Sequence, residues 1–326
     1  MSLSMTLGTF TPSVLLRVAR RTGQLDDAGL EVTEAAVPSS PAQFEALLDG
    51  RLQAVLTSPD NILAYRYSPT NPLRRTADAR IVSGVDRGMG LGLYGRTGGA
   101  KTSSPSASAS TPMAAALRGG RFGVDVPTSG FAFAMYALAE SLGLARSDYE
   151  LVTLGSTPKR LSALLAGECE ATMLNAGNEL HAEAAGLRPL ATAAESLSPY
   201  LGTVLAVVGD AHLAAADRLA VVLIRTASSI ADGRLDDEVL AEAGDALGLD
   251  GPLARRYLDR LKDPREGLVT DGAVDPAAIR TLVDLRRRYR PEPAGGGSDV
   301  FAPALEPGSG LVVHPTGRSI PARRRG

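Results

Sequence analysis

Hydroxyl- and amide-rich turns recur in this chain, each just ahead of a segment that reads as a helix. Thr9-Phe10-Thr11-Pro12-Ser13, Val37-Pro38-Ser39-Ser40 and Ser58-Pro59-Asp60-Asn61 form one set. Asp125-Val126-Pro127-Thr128-Ser129-Gly130-Phe131, Gly155-Ser156-Thr157 and Asn175-Ala176-Gly177-Asn178 form a second. A helix N-terminus leaves backbone N–H groups unpaired and carries partial positive charge. Such turns therefore suit an anionic or strongly polar ligand group. Thr128-Ser129-Gly130 is the best single candidate: Gly130 lets a ligand approach the backbone, and Thr128 or Ser129 adds a hydroxyl. Phe10 and Phe131 hold comparable places in the two sets, where they either sandwich a flat ligand or join the core. Asp60 and Asp125 are the obvious charges, open to a ligand amine or to one of the many arginines. Ordinary capping accounts for Ser40, Ser129 and Thr157 one at a time. Their convergence on one cleft is what would make them a site.

Residues for bond-making chemistry are scarce. His181, His212 and His314 are the only histidines, and His181, just beyond the turn at 175–178, is the one candidate general base. A surface helix position is its other reading. Cys169, the single cysteine, reads as a small buried apolar residue and excludes an internal disulfide. No HxxxH or CxxC spacing suggests a metal site. "GRTGGAK" lacks the spacing and context of a phosphate-binding loop. No cofactor or metal is expected.

The elements that would position these turns come in two copies. "SSPAQFEALLDGRLQAVLTS" (39–58) is echoed by "STPKRLSALLAGECEATMLN" (156–175). Ser39/Ser156, Pro41/Pro158, Leu47/Leu164, Leu48/Leu165, Gly50/Gly167 and Ala54/Ala171 coincide at a constant offset of 117. In the first copy Ser40 is expected to cap, Pro41 to lead and Gln43 to complete a capping box. Phe44, Leu47 and Leu48 form the apolar stripe, and Gly50 ends the helix. In the second, Thr157 caps, Leu161, Leu164 and Leu165 form the stripe, and Gly167 stops it. Upstream, "MTLGTFTPSVLLRVARRTG" parallels "RFGVDVPTSGFAFAMYALAESLG" with the register slipped by about two residues. Each half thus reads β-loop-α-β-α-β. Strands separated by helices imply parallel pairing with right-handed crossovers.

The expected fold is α/β with two lobes. Lobe 1 would comprise 1–88 and 200–290, and lobe 2 would comprise 89–199. Each is expected to be a mixed, mostly parallel sheet flanked by helices, with the ligand cleft between lobes at the carboxyl ends of the strands. Residues 79–96 would cross between lobes and 199–212 would return. Helices are expected near 236–247, 251–262 and 275–289, packed on lobe 1. The stretch 97–112, rich in Gly, Ser, Ala and Pro, reads as a mobile loop, and 291–326 as a poorly ordered tail.

Composition narrows the partners. A 326-residue chain with 44% hydrophobic and 21% charged residues is globular. A net charge of −2 gives no footprint for nucleic acid or an acidic membrane. Aromatics are 4% with no Trp, too few for a base-stacking platform. No apolar run is long enough to cross a bilayer. A small-molecule partner and a monomer are expected. "MSLSMTLGTF" has no leader features, so as written the chain is expected in the cytoplasm; a chain whose leader had been removed would look the same.

The order "GTFTPSVLLRVARRTGQLDDAGLEV", "ALLDGRLQAVLTSPDN", "RFGVDVPTSGFAFAMYAL", "ALLAGECEATMLNAG" resembles type II periplasmic binding proteins over about residues 5–290. The branch it is most similar to serves sulfonate, nitrate and thiamine-pyrimidine-precursor import. The resemblance implies a hinged clamp closing on a small polar or anionic molecule, with an ABC permease as partner. The expected ligand-binding set is Phe10, Thr11, Pro12, Ser13, Ser39, Ser40, Ser58, Asp60, Asp125, Thr128, Ser129, Gly130, Phe131, Ser156, Thr157 and Asn175. The alternative is a cytoplasmic enzyme of the same fold, such as a dehydratase, decarboxylase or desulfinase, or a ligand sensor. The Cys-rich iron motif of the family's pyrimidine synthases is absent.

Overall fold

A computed structural model describes residues 3–96, 110–290 and 299–313. Among the described residues, ten strands form two five-stranded sheets. The first contains β1 (Leu3–Thr9), β2 (Leu30–Ala36), β3 (Ala54–Thr57), β4 (Ala79–Asp86) and β10 (Thr203–Val208), in the order β2-β1-β3-β10-β4. The second contains β5 (Gly92–Gly95), β6 (Arg121–Val124), β7 (Glu150–Thr153), β8 (Ala171–Leu174) and β9 (Pro189–Thr192), in the order β7-β6-β8-β5-β9. The two orders superimpose position for position. In each sheet the first three strands are parallel, and one antiparallel strand follows. That strand arrives from the other lobe: β5 after the crossing at 87–91, β10 after the return at 193–202. Each sheet is thus mixed and mostly parallel.

Helices fill the connections. Lobe 1 carries α1 (Val14–Arg21), α2 (Gln24–Asp27), α3 (Ser40–Leu48) and α4 (Pro59–Tyr67). Lobe 2 carries α5 (Ser110–Leu117), α6 (Gly130–Ser141), α7 (Thr157–Ala166), α8 (Asn178–Ala184) and α9 (Ala193–Ser196). Then come α10 (Leu213–Ala231), α11 (Asp236–Leu247), α12 (Gly251–Lys262) and α13 (Pro276–Tyr289).

The duplicated grammar has a duplicated physical basis. β1 meets β3 through Gly8↔Val55, and β6 meets β8 through Gly123↔Thr172. A Cβ on Gly8 would lie 2.6 Å from Leu52, and one on Gly123 would lie 3.3 Å from Cys169, the residue at the same place in the repeat. At both positions the strand passes close over the following helix–strand turn, so a side chain enters only by displacing Leu52, or Leu154 and Cys169. Buried Cys169 is this packing residue, and burial pushes its thiol up to about 11.

The caps fall one residue earlier than the sequence grammar suggests. Ser39, not Ser40, caps α3, its Oγ accepting from the Ala42 N–H at 3.3 Å. Ser156, not Thr157, precedes α7. Gln43 completes no capping box. Its side chain turns inward and donates to the carbonyls of Gly8 and Leu56, each at 3.2 Å. Two strand-end carbonyls in an apolar interior demand a donor more strongly than a helix N–H that water can reach.

Three expectations about layout change. Residues 110–112 are the first turn of α5, while 97–109 lie outside the described residues. α12 packs against α8, and α13 packs against both α4 and α6, so these helices straddle the lobes rather than covering lobe 1 alone. Residues 299–313, within the stretch read as a tail, fold onto the protein. Phe301 and Leu311 are buried, and 311–313 pair with Ile81 through Ile81 N–H to Leu311 O (2.8 Å) and Val313 N–H to Ile81 O (2.9 Å). A few apolar anchors and an unpaired edge at β4 suffice to hold this Pro- and Gly-rich segment. The rest of the tail lies outside the described residues.

Candidate functional site

A cavity of about 130 Å³ lies between the sheets, at the carboxyl ends of their strands. Lobe 1 contributes the turns after β1 and β3. Lobe 2 contributes the turns after β6, β7 and β8. The end of β4 adds Asp86 and the start of β10 adds Thr203, the crossings add Met89 and Gly202, and α12 adds Tyr257 and Leu261.

The lobes meet around this cavity. The Ser40 N–H of α3 donates to Asp125 Oδ2 across the gap at 2.9 Å, and the Ser156 N–H of lobe 2 donates to Pro38 O at 3.0 Å. Asn178 Nδ2 reaches Thr11 Oγ1 at 3.3 Å. The repeat therefore places matching helix starts so that each is met by the opposite lobe.

Of the residues singled out from sequence, Phe10, Thr11, Pro12, Ser13, Ser58, Asp125, Ser129, Gly130, Phe131, Ser156, Thr157 and Asn175 line the cavity. Both phenylalanines also pack against the main core, so ligand contact and core packing are not exclusive for them. Ser39, Ser40, Asp60 and Thr128 do not line it. Ser39 is occupied as a cap, and Ser40 binds Asp125 through its backbone. Asp60 is not free for a ligand amine: Arg286 of α13 grips it bidentately, Nε to Oδ1 and Nη2 to Oδ2, both at 2.9 Å. The pair is 1% and 2% exposed. The Arg286 guanidinium also stacks over Phe133 and Phe301 at 5.2 and 5.4 Å, and its Nη2 lies 3.5 Å from Thr128 O. Gly130 has a different reason from close ligand approach. A Cβ there would lie 2.5 Å from Asp60 Cβ, so its missing side chain seats Asp60 of the other lobe.

Two ionisable lining residues escape the sequence reading. Arg160, 3% exposed, holds Gly155 O with Nη1, and Thr157 Oγ1 (3.0 Å) and Met173 O (3.3 Å) with Nη2. Its place in the repeat is that of Gln43, and Met173 is the counterpart of Leu56, so the two side chains tie equivalent helices to equivalent strand ends. The signal was present: at offset 117 both copies break the inward face with a long polar residue. Burial pulls Arg160 down to about 10, with the Asp125 charge opposing; it remains cationic at neutral pH. Asp86, at the end of β4, accepts from the Gly88 N–H at 2.8 Å. Burial pushes it up to about 6, opposed by hydrogen bonds from Thr203 and Gly88. Nothing in the local sequence of Asp86 separates it from a strand terminus.

The walls carry hydroxyls, amides, the carboxyls of Asp86 and Asp125 and the guanidinium of Arg160, but no His, Cys or Lys among the described residues. His181 lies elsewhere, one ring nitrogen 2.8 Å from Leu247 O. Among the described residues no cluster of His, Cys, Asp or Glu is placed to hold a metal ion, and no helix is long and apolar enough to cross a membrane. The arrangement offers polar groups that can bind and orient a guest.

The fold is similar to that of solved periplasmic binding proteins. The alkanesulfonate-binding protein SsuA of Xanthomonas axonopodis, solved with MOPS, is similar in structure at a TM-score of 0.68 and 16% identity, over 96% of this chain and 99% of that one. The periplasmic nitrate-binding protein NrtA of Synechocystis gives 0.70 at 12% identity, over 90% and 83%. The aliphatic sulphonate-binding SsuA of Escherichia coli gives 0.61 at 16%, over 88% and 86%. At these identities the likeness establishes the fold. No protein-family model and no curated protein matches the sequence.

Proposed function

We propose that this protein is a solute-binding protein that captures one small polar organic molecule between its lobes and presents it to an ABC-type importer. The observation that carries this reading is the cavity itself. Both halves of the duplicated unit line it, and contacts between the lobes surround it. A ligand touching both lobes stabilises their contact, whereas one bound to a single lobe cannot. The size of the cavity favours a compact guest. A cavity of about 150 Å³ accommodates benzene, so 130 Å³ suits a single ring or a short-chain compound. An importer role requires an extracytoplasmic location and a permease that docks the closed lobes. The enzyme alternative is not favoured, because the similar solved structures named above are sulfonate- and nitrate-binding proteins.

The test is a thermal-shift screen over small sulfonates, carboxylates, pyrimidines, amides and amines, followed by solution scattering. A molecule held at a hundredfold excess over its dissociation constant stabilises the native state by roughly 2.7 kcal/mol. A verified ligand that binds without compacting the protein would count against the clamp.

A further inference from the structure

The expectation of an anionic guest rests on bare helix N-termini, and the cavity presents few. Ser13 accepts from Leu16 N–H, Ser58 from Asp60 N–H and Ser129 from Ala132 N–H, so α1, α4 and α6 are capped by their own hydroxyls. The starts of α7 and of the short α8 lack a side-chain cap, and the sole cation among the described lining residues, Arg160, spends both terminal nitrogens on lobe 2 itself. Its Nε–H alone has no partner.

The opposite need is plainer. Asp125 is 9% exposed and lines the cavity. Its Oδ2 takes the Ser40 N–H, while Oδ1 is buried with no donor at all. A buried carboxylate oxygen without a partner is costly, and that cost falls when a guest supplies a donor. Asp86 adds a second acid, so the walls hold two carboxyl groups against one guanidinium. Phe10, Phe131 and Tyr257 supply aromatic surface, which favours a cationic or N–H-bearing group over an oxyanion.

We propose that the ligand is a compact, ring-sized molecule that presents a nitrogen donor, as an amine, amidine or amide, to the Asp125 carboxylate, with its acceptor side toward Arg160 and the start of α7. This rests on the reading of the protein as a solute-binding clamp and narrows it away from simple oxyanions.

Benzamidine, benzamide and benzenesulfonate share one ring and differ in head group. Calorimetric titration of each into the wild-type protein and into Asp125→Asn tests the proposal. Benzamidine or benzamide is expected to bind the wild type, and benzenesulfonate to bind more weakly than either. Asp125→Asn keeps an acceptor for Ser40 and removes the charge. It is expected to weaken benzamidine about tenfold or more and to improve benzenesulfonate. Tighter binding of benzenesulfonate than of both nitrogen probes in the wild type, or no binding of any probe, overturns the proposal; so does an Asp125→Asn affinity for benzamidine within threefold of wild type. The wild-type ranking decides the matter if Asp125→Asn does not fold. Scattering on the same samples separates the two claims. Benzenesulfonate binding more tightly than both nitrogen probes, with compaction, removes the donor assignment and leaves the clamp standing, whereas any probe that binds without compaction removes the clamp.

Discussion

Gly130→Ala is the substitution that probes the lobe contact with the least disturbance elsewhere. Gly130 is the first residue of α6 and has no left-handed φ, so an alanine there is acceptable to lobe 2 by itself. Its Cβ would, however, lie 2.5 Å from Asp60 Cβ and 2.9 Å from Asp60 Cγ. Asp60 cannot step aside, because Arg286 fixes both of its oxygens. The overlap is therefore relieved by separating the lobes. Overpacking a tight contact costs roughly 1–3 kcal/mol, which is charged to closure and lowers affinity roughly 5- to 150-fold. The assay is calorimetric titration of the molecule found in the ligand screen, with unfolding followed in parallel. The expected result is weakened binding with cooperative unfolding retained. Unchanged affinity would refute the reasoning that the Gly130–Asp60 contact bears on lobe closure.

Asp60→Ala leaves Arg286 buried and unpaired and is expected to cost roughly 3–5 kcal/mol by denaturant unfolding; a loss below 1 kcal/mol would mean the pair is solvated. Phe301→Ala removes a buried ring from residues 299–313 and the platform under Arg286, and is expected to cost roughly 3–5 kcal/mol; a neutral effect would show that this segment does not fold onto lobe 1. Glu179, fully buried beside Arg260, is pushed by burial from 4.5 to about 7. A carboxyl with a raised folded pKa binds more protons folded than unfolded, so its contribution to stability falls as pH rises from about 4.5 to about 7 and is flat above. Glu179→Gln is expected to flatten that slope in pH-dependent melting, and an unaltered slope would assign it elsewhere.

The two-lobe plan was legible because it is written locally and twice. Caps, stripe spacing and the stop glycines Gly50 and Gly167 depend on neighbours within about ten residues. The strand pairs Gly8↔Val55 and Gly123↔Thr172 then follow from repeating the unit. Most cavity turns were legible for the same reason, since they are the strand ends of that unit. What escaped depends on distant partners. Asp60 reads as open to a ligand amine or to any of the many arginines, and only the fold selects Arg286, 226 residues later. Gly130 reads as an approach to a ligand until Asp60 occupies the space. Arg160 hid in a helix already explained by its leucines, although its alignment with Gln43 marked it. The packing of Phe301 and Leu311 escaped because a few anchors against a sheet edge leave no periodicity to read.

The central claim is that two copies of one unit grip a guest by moving together. Spin labels at Glu45 on α3 and Lys159 on α7, both exposed and on opposite lobes, report that movement through their distance distribution, in a Cys169→Ser background. The account predicts a broad distribution without ligand that narrows and shifts to shorter distance when a calorimetrically verified ligand saturates the protein. An identical distribution with and without that ligand would contradict it.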